Sequence, residues 1–170
     1  MKPIENKCML ITYANSMGKN LKELEQVLDK HFSRELGGVH ILPFFPSSGD
    51  RGFAVINYDI VDPAFGTWED IRRLSGKYFM AADFMLNHVS IRGNEFQDYL
   101  KNGEASPYRD MFIHWEEFWP EGEPTADDLA VLYSRKPQGP CKTYTLANGE
   151  QVRLWNTFFE EQVDVDPHAK

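Results

Sequence analysis

The chain has 170 residues, with 18 Lys+Arg against 26 Asp+Glu and a formal net charge of −8. Its length suits one domain with a real core, and 42% hydrophobic with 26% charged residues excludes a disordered chain. The acidic balance argues against a nucleic-acid partner, and no apolar run is long enough to span a membrane.

The N-terminus, MKPIENKCMLITY, lacks the apolar stretch of a signal peptide. Cys8 and Cys141 are too few for a disulfide framework, so a cytoplasmic protein with free or buried thiols is expected.

Residues 7–13, KCMLITY, predict a short strand. Asn20 is placed to cap a helix over 21–33, where Leu21, Leu24, Val27, Leu28 and His31 or Phe32 recur at helical spacing. Gly37-Gly38 are expected to end that element. VHILPFF (39–45) reads as a strand buried on both faces. PSSGDRGFAVINYD (46–59) follows as a loop rich in turn formers. Thr67 caps a second helix to about Lys77, with Asp70 completing a capping box and Trp68, Ile71 and Leu74 facing inward. YFMAADFML (78–86) is a third apolar run. Strand, helix, strand, helix, strand predicts parallel β-structure with right-handed crossovers.

Past residue 90 the character changes. A helix over 93–102 precedes a long segment of weak periodicity containing Pro107, Pro120, Pro124, Pro137 and Pro140. So long an irregular stretch is functional or a subdomain of its own. Within it, ANGE (147–150) marks a hairpin turn between TYTL and QVRLW. The last residues, EEQVDVDPHAK, show no closing element. Aromatic residues make up 14% of the chain. Trp68, Trp115, Trp119 and Trp155 fall mostly in Pro- and Gly-rich stretches. Such rings serve as stacking faces for sugars or as local core, and composition alone favours core.

In parallel α/β proteins ligands bind at the carboxyl ends of the strands. Two polar clusters fall there. One is Ser47 to Phe53, where Gly49 and Gly52 give a tight backbone that either projects Asp50 or Phe53 into a cleft or leaves Asp50-Arg51 as a solvated ion pair. The other is DFMLNH, with Asp83, Asn87 and His88. If the third strand runs to about Leu86, Asn87 and His88 enter the loop over its end. There His88 can donate to a substrate hydroxyl while Asp83 and Asn87 brace the backbone; a capped strand end is the competing reading. Glu116-Glu117, Asp127-Asp128 and Glu160-Glu161 are adjacent acids, which do not converge on one bond as a catalytic pair must. His31, His40, His114 and His168 have no ligand spacing and no nucleotide-binding or nucleophile-elbow motif occurs, so neither metal nor cofactor is expected.

These residues carry a resemblance. LITYA (10–14), GGVHILPFFPSSGDRGF (37–53), FGTWEDI (65–71), DFMLNHVS (83–90), FQDYL (96–100), WNTF (155–158) and EQVDVD (161–166) resemble the N-terminal part of the sucrose phosphorylase and sucrose 6-phosphate phosphorylase group. That group belongs to the α-amylase family of glycoside hydrolases. DFMLNH resembles the family's first conserved block and QVDVD its fifth. PSSGDRGF is most similar to the sucrose 6-phosphate branch.

The resemblance implies a (β/α)8 barrel of which this chain is the N-terminal portion, about three β/α repeats over residues 1–90. An irregular B-domain-like insertion would fill 91–170. It implies a retaining double displacement in which phosphate accepts the glucosyl unit, giving α-glucose 1-phosphate. The implied partners are a small sugar substrate and inorganic phosphate. It implies that Asp50 holds glucosyl hydroxyls, Phe53 is an aromatic of the same subsite, and His88 hydrogen-bonds the glucosyl ring. Asp83 and Asn87 would support them, and Tyr133 and Arg135 would face the acceptor. Arg135 with Lys136 is either a phosphate grip or a solvated basic pair. Phe158 is expected to line the cleft.

The family nucleophile, in an R-x-D-A-x-G stretch, has no counterpart here, nor have the acid/base Glu and the later stabilising Asp. A barrel of this kind needs roughly 250 residues. The expectation is therefore a fragment, inactive alone and marginally folded. Competing readings are another phosphorylase or hydrolase of the family (glucosylglycerate, glucosylglycerol or α-glucan substrate) and a non-catalytic sugar-binding protein.

Overall fold

The structure is a computed structural model that describes residues 2–134 and 136–169. Arg135 lies outside the described residues. The chain divides into two compact units, residues 1–47 with 51–84, and residues 48–50 with 85–170.

The first unit is a three-stranded parallel sheet in the order β1 (Cys8–Thr12), β2 (Leu36–Ile41), β3 (Phe79–Ala82). Helix α1 (Leu21–His31) joins β1 to β2, and α2 (Trp68–Lys77) precedes β3. Both helices begin where their caps predict. Asn20 Oδ1 accepts from the Glu23 N–H at 3.0 Å, and Thr67 with Asp70 forms the reciprocal capping box. Leu21, Leu24, Leu28 and Leu74 are fully buried with Val39 and Ile41 of the central strand. Each such burial contributes about 1.5–3 kcal/mol. Trp68 is more than a third exposed rather than inward, with its indole N–H on the Asp59 carbonyl at 2.7 Å.

β2 and β3 depart from the sequence expectation. β2 begins at Leu36 and ends at Ile41 instead of running through 39–45. Gly37 and Gly38 do not end the helix; they lie inside the strand, because a Cβ on Gly38 would sit 3.1 Å from the Phe79 carbonyl oxygen. Pro43 has no N–H to extend the ladder. β3 therefore stops at Ala82, the partner of Ile41, and not near Leu86.

The second unit is irregular but well cored. Helix α3 (Asn94–Asn102) buries Phe96 and Tyr99 against Phe112, Leu146, Leu154 and Val163. Two short helices follow, α4 (Trp115–Phe118) and α5 (Ala126–Val131). β5 (Cys141–Thr145) and β6 (Gln151–Trp155) form the hairpin predicted at Asn148-Gly149, where Gly149 has φ +88°. Trp115, Trp119 and Trp155 pack together as a second cluster, so these rings are local core. β4 (His88–Ser90) and β7 (Gln162–Asp164) pair antiparallel. The tail that showed no closing element thus closes the unit through β7, and His88 lies in a ladder rather than in an open loop.

Candidate functional site

The two-rung face of the β4–β7 ladder organises the candidates of the second unit. His88 faces Asp164 and Ser90 faces Gln162, with Val89 opposite Val163 between them. Side chains alternate along a strand, so His88, Ser90, Gln162 and Asp164 share one face while Val163 joins the core on the other.

The Ser90–Gln162 rung holds the segment that carries Asp50. Ser48 Oγ and Ser90 Oγ are 2.7 Å apart. Gln162 Nε2 donates to Asp50 Oδ2 at 3.1 Å. Asp50 and Arg51 hold φ of 50° and 49°, a left-handed turn that non-glycine residues rarely adopt. They do not form the ion pair considered from the sequence. Asp50 turns to Gln162, and the Arg51 guanidinium lies over the Tyr13 ring at 4.2 Å within the first unit.

The His88–Asp164 rung holds the histidine. His88 is 5% exposed and its ring packs on Phe158 with centroids 4.3 Å apart. Asp164 accepts the Thr157 N–H on both carboxylate oxygens at 3.1 Å and also the Thr157 hydroxyl. Burial pushes the Asp164 carboxyl up, opposed by the Thr157 hydrogen bonds and the neighbouring His88.

A third layer ties the Phe158 loop down. Asn156 is fully buried, and its amide nitrogen donates to the Phe159 carbonyl at 2.9 Å and to the Gln162 carbonyl. Its carbonyl oxygen accepts Lys136 Nζ. Lys136 also lies 3.8 Å from Glu160, and burial lowers the basicity of its amine. Lys136 is thus turned onto Asn156 and Glu160, while Arg135, its partner in the basic pair read from the sequence, lies outside the described residues. A cleft of about 140 Å³ opens here, lined by Lys136, Gln138, Phe158, Phe159 and Glu160.

The remaining candidates are described unit by unit. Tyr133 is 82% exposed, beyond the end of α5. Asn87 is exposed, and its carbonyl accepts the Val165 N–H at 3.1 Å, which extends the ladder by one bond. Phe53 is half-buried in the first unit. Asp83, just past β3 in the first unit, has its Oδ2 2.9 Å from His40 Nε2 of β2. Among the described residues no group of three His, Cys, Asp or Glu is arranged to hold a metal ion, and no helix is long and apolar enough to cross a membrane.

Gln162, Asp164 and Asn156 carried no role in the sequence reading. Their signal was present only as membership of the EQVDVD and WNTF stretches, since nothing local marks a Gln as the partner of an Asp far along the chain.

Comparison with known proteins follows the same lines. Residues 12–162 match the alpha-amylase catalytic domain. The chain is 51% identical over 164 residues to the sucrose phosphorylase of Streptococcus mutans serotype c, covering 96% of this chain and 34% of that protein. It is 42% identical over 163 residues to the glucosylglycerol phosphorylase of Marinobacter adhaerens, covering 96% and 33%. The crystal structure of sucrose 6F-phosphate phosphorylase from Thermoanaerobacter thermosaccharolyticum superposes with a TM-score of 0.91 at 46% identity, covering 96% of this chain and 34% of that one. The chain spans about a third of the length of the curated relatives it matches.

Proposed function

The chain belongs to the alpha-amylase family, and on that premise we propose that it supplies the glucosyl-binding part of a retaining glycoside phosphorylase. Its three parallel strands and two intervening helices belong to the N-terminal portion of the family's barrel. The reaction is transfer of a glucosyl unit from sucrose or sucrose 6-phosphate to phosphate, giving α-glucose 1-phosphate. Residues 91–170 take the part of the B-domain-like insertion.

The observation that carries this reading is the shared face of β4 and β7, which presents His88 on one rung and holds Asp50 through the other. A glucopyranose carries its hydroxyls around the edge of the ring and leaves apolar faces above and below it. Asp50 accepts from the hydroxyls, and a charge-assisted bond of this kind is stronger than a neutral one. His88 hydrogen-bonds the ring substituents, with its own ring held against Phe158. The resemblance assigns Phe53 the role of an aromatic face for the sugar. The resemblance assigns Asp83 and Asn87 supporting roles and Tyr133 and Arg135 roles toward the acceptor, Arg135 lying outside the described residues.

Cleavage needs a nucleophile and an acid/base on opposite sides of the glycosidic bond. No R-x-D-A-x-G occurs among the 170 residues. The chain alone therefore binds and does not turn over. The 42% identity to a glucosylglycerol phosphorylase favours a second reading, in which the glucosyl half is the same and the acceptor differs.

The experiment is a titration of the isotope-labelled chain with sucrose, sucrose 6-phosphate and glucosylglycerol, alongside an assay for phosphate-dependent glucose 1-phosphate release. Shifts at Asp50 and His88 without release are expected, and the preferred sugar separates the two readings. Release by the chain alone overturns the binding-only part. Failure of all three sugars to move Asp50 or His88 overturns the glucosyl site.

A further inference from the structure

We infer that Gln162 is a positioning residue that orients the carboxylate of Asp50 toward a sugar hydroxyl. The inference rests on the glucosyl-binding reading of Asp50. Gln162 is fully buried on β7, and a buried primary amide must satisfy both of its ends. Its carbonyl oxygen takes the Phe159 N–H at 2.9 Å. That leaves the NH2 end for Asp50 Oδ2 at 3.1 Å. The reverse orientation would set an amide oxygen against a carboxylate and an NH2 against an N–H, so the partners fix the direction.

The amide itself has little freedom. The Gln162 backbone N–H donates to the Phe159 carbonyl at 3.0 Å, and its own carbonyl accepts from the buried Asn156. Asp50 by contrast sits on a turn with positive φ and is half-buried. A rigid donor thus holds a carboxylate whose backbone is in an uncommon conformation. A side chain needed only to fill space would carry no polar atoms, because an amide costs desolvation and a leucine does not. The same amide joins Asp50 to the loop that carries Phe158, so one residue sets two walls of the site.

The test is a double-mutant cycle on the full chain, reading the sucrose dissociation constant by NMR for wild type, Gln162→Leu, Asp50→Asn and the double variant. If Gln162 acts through Asp50, Gln162→Leu weakens binding about tenfold on the Asp50 background and less than about twofold on Asp50→Asn. Equal losses on both backgrounds overturn the inference. Should Gln162→Leu unfold the ladder, Gln162→Met takes its place, keeping the length of the side chain while removing its hydrogen bonds to Phe159 and Asp50 without adding a charge beside the carboxylate. A second measurement needs no sugar: Asp50→Asn moves the Gln162 side-chain amide resonance and leaves the Phe159 backbone amide in place. An unmoved Gln162 resonance overturns the inference whatever the sugar does. A chain that binds no sucrose but shows the resonance shift supports the Asp50–Gln162 coupling and overturns the glucosyl reading instead.

Discussion

The two units reach their folds by different routes. In the first, each element is specified close to home: an Asn cap, a capping box, leucines at helical spacing and strands joined in sequential order. In the second, the organising pair is β4 with β7, whose strands come from opposite ends of the unit. The residues with the strongest case for binding, Asp50 and His88, depend on that second kind of pairing. A scaffold can be built from local rules, whereas a site that gathers side chains from distant segments needs contacts that no local rule encodes.

The largest effects test whether each unit rests on its own core. Phe112→Ala empties a position that is 2% exposed and packed against Phe96 and Tyr99, and is expected to cost about 3–5 kcal/mol. Leu28→Ala in the first unit is expected to cost about 2–5 kcal/mol. Hydrogen exchange read unit by unit checks both, with the loss of protection largest around the substituted core. Uniform loss everywhere for each variant would erase the contrast.

A smaller effect compares two helix caps. Asn20 caps a helix that buries Leu21, Leu24 and Leu28, so Asn20→Ala should cost about 0.5–2 kcal/mol. Thr125 caps α5, which buries no residue, so Thr125→Ala should stay within about 0.5 kcal/mol by urea denaturation. Local capping then matters to global stability only where the helix joins a core.

The smallest effect is in the sign of a pH dependence. Asp164 is raised by burial, so the folded chain holds its proton to higher pH than the unfolded chain does. Its contribution is present below the ordinary aspartate value of about 3.9 and is lost as pH rises through the raised value. Asp70 in the first unit has the opposite sign. Burial works against it, but Arg73 and Thr67 outweigh burial and lower it. Its stabilisation is present above the ordinary value and is lost as pH falls through the lowered one. Urea midpoints against pH should therefore show Asp164→Asn removing a decline on the rising side and Asp70→Asn removing a decline on the acid side.

Much of the first unit was legible in the sequence because its signals are short-range. Asn20, Thr67 with Asp70, and Asn148-Gly149 in the second unit each act within a few residues, and each does what its spacing predicts. The limits of β2 and β3 were not legible. Gly37 and Gly38 read as breakers until the backbone and side chains beside them, with Phe79 against Gly38, are seen to crowd the place of a Cβ, and β3 ends where Pro43 deprives its neighbour of a donor. At the candidate site, Asp50 and His88 stood out as residue types, whereas the bond from Lys136 to Asn156 was not legible because the two lie on separate segments.

By itself the sequence determined the first three helices, the hairpin turn, the parallel order of the first three strands and, through blocks that resemble a known family, the family. Those properties follow from backbone preferences and hydrophobic periodicity, which act over one or two turns of chain. Only the tertiary structure decided that His88 sits in a ladder, that the tail closes it, and that Gln162 holds Asp50. A hydrogen bond between distant residues forms only after the chain between them has been ordered, and that ordering is a property of the whole core.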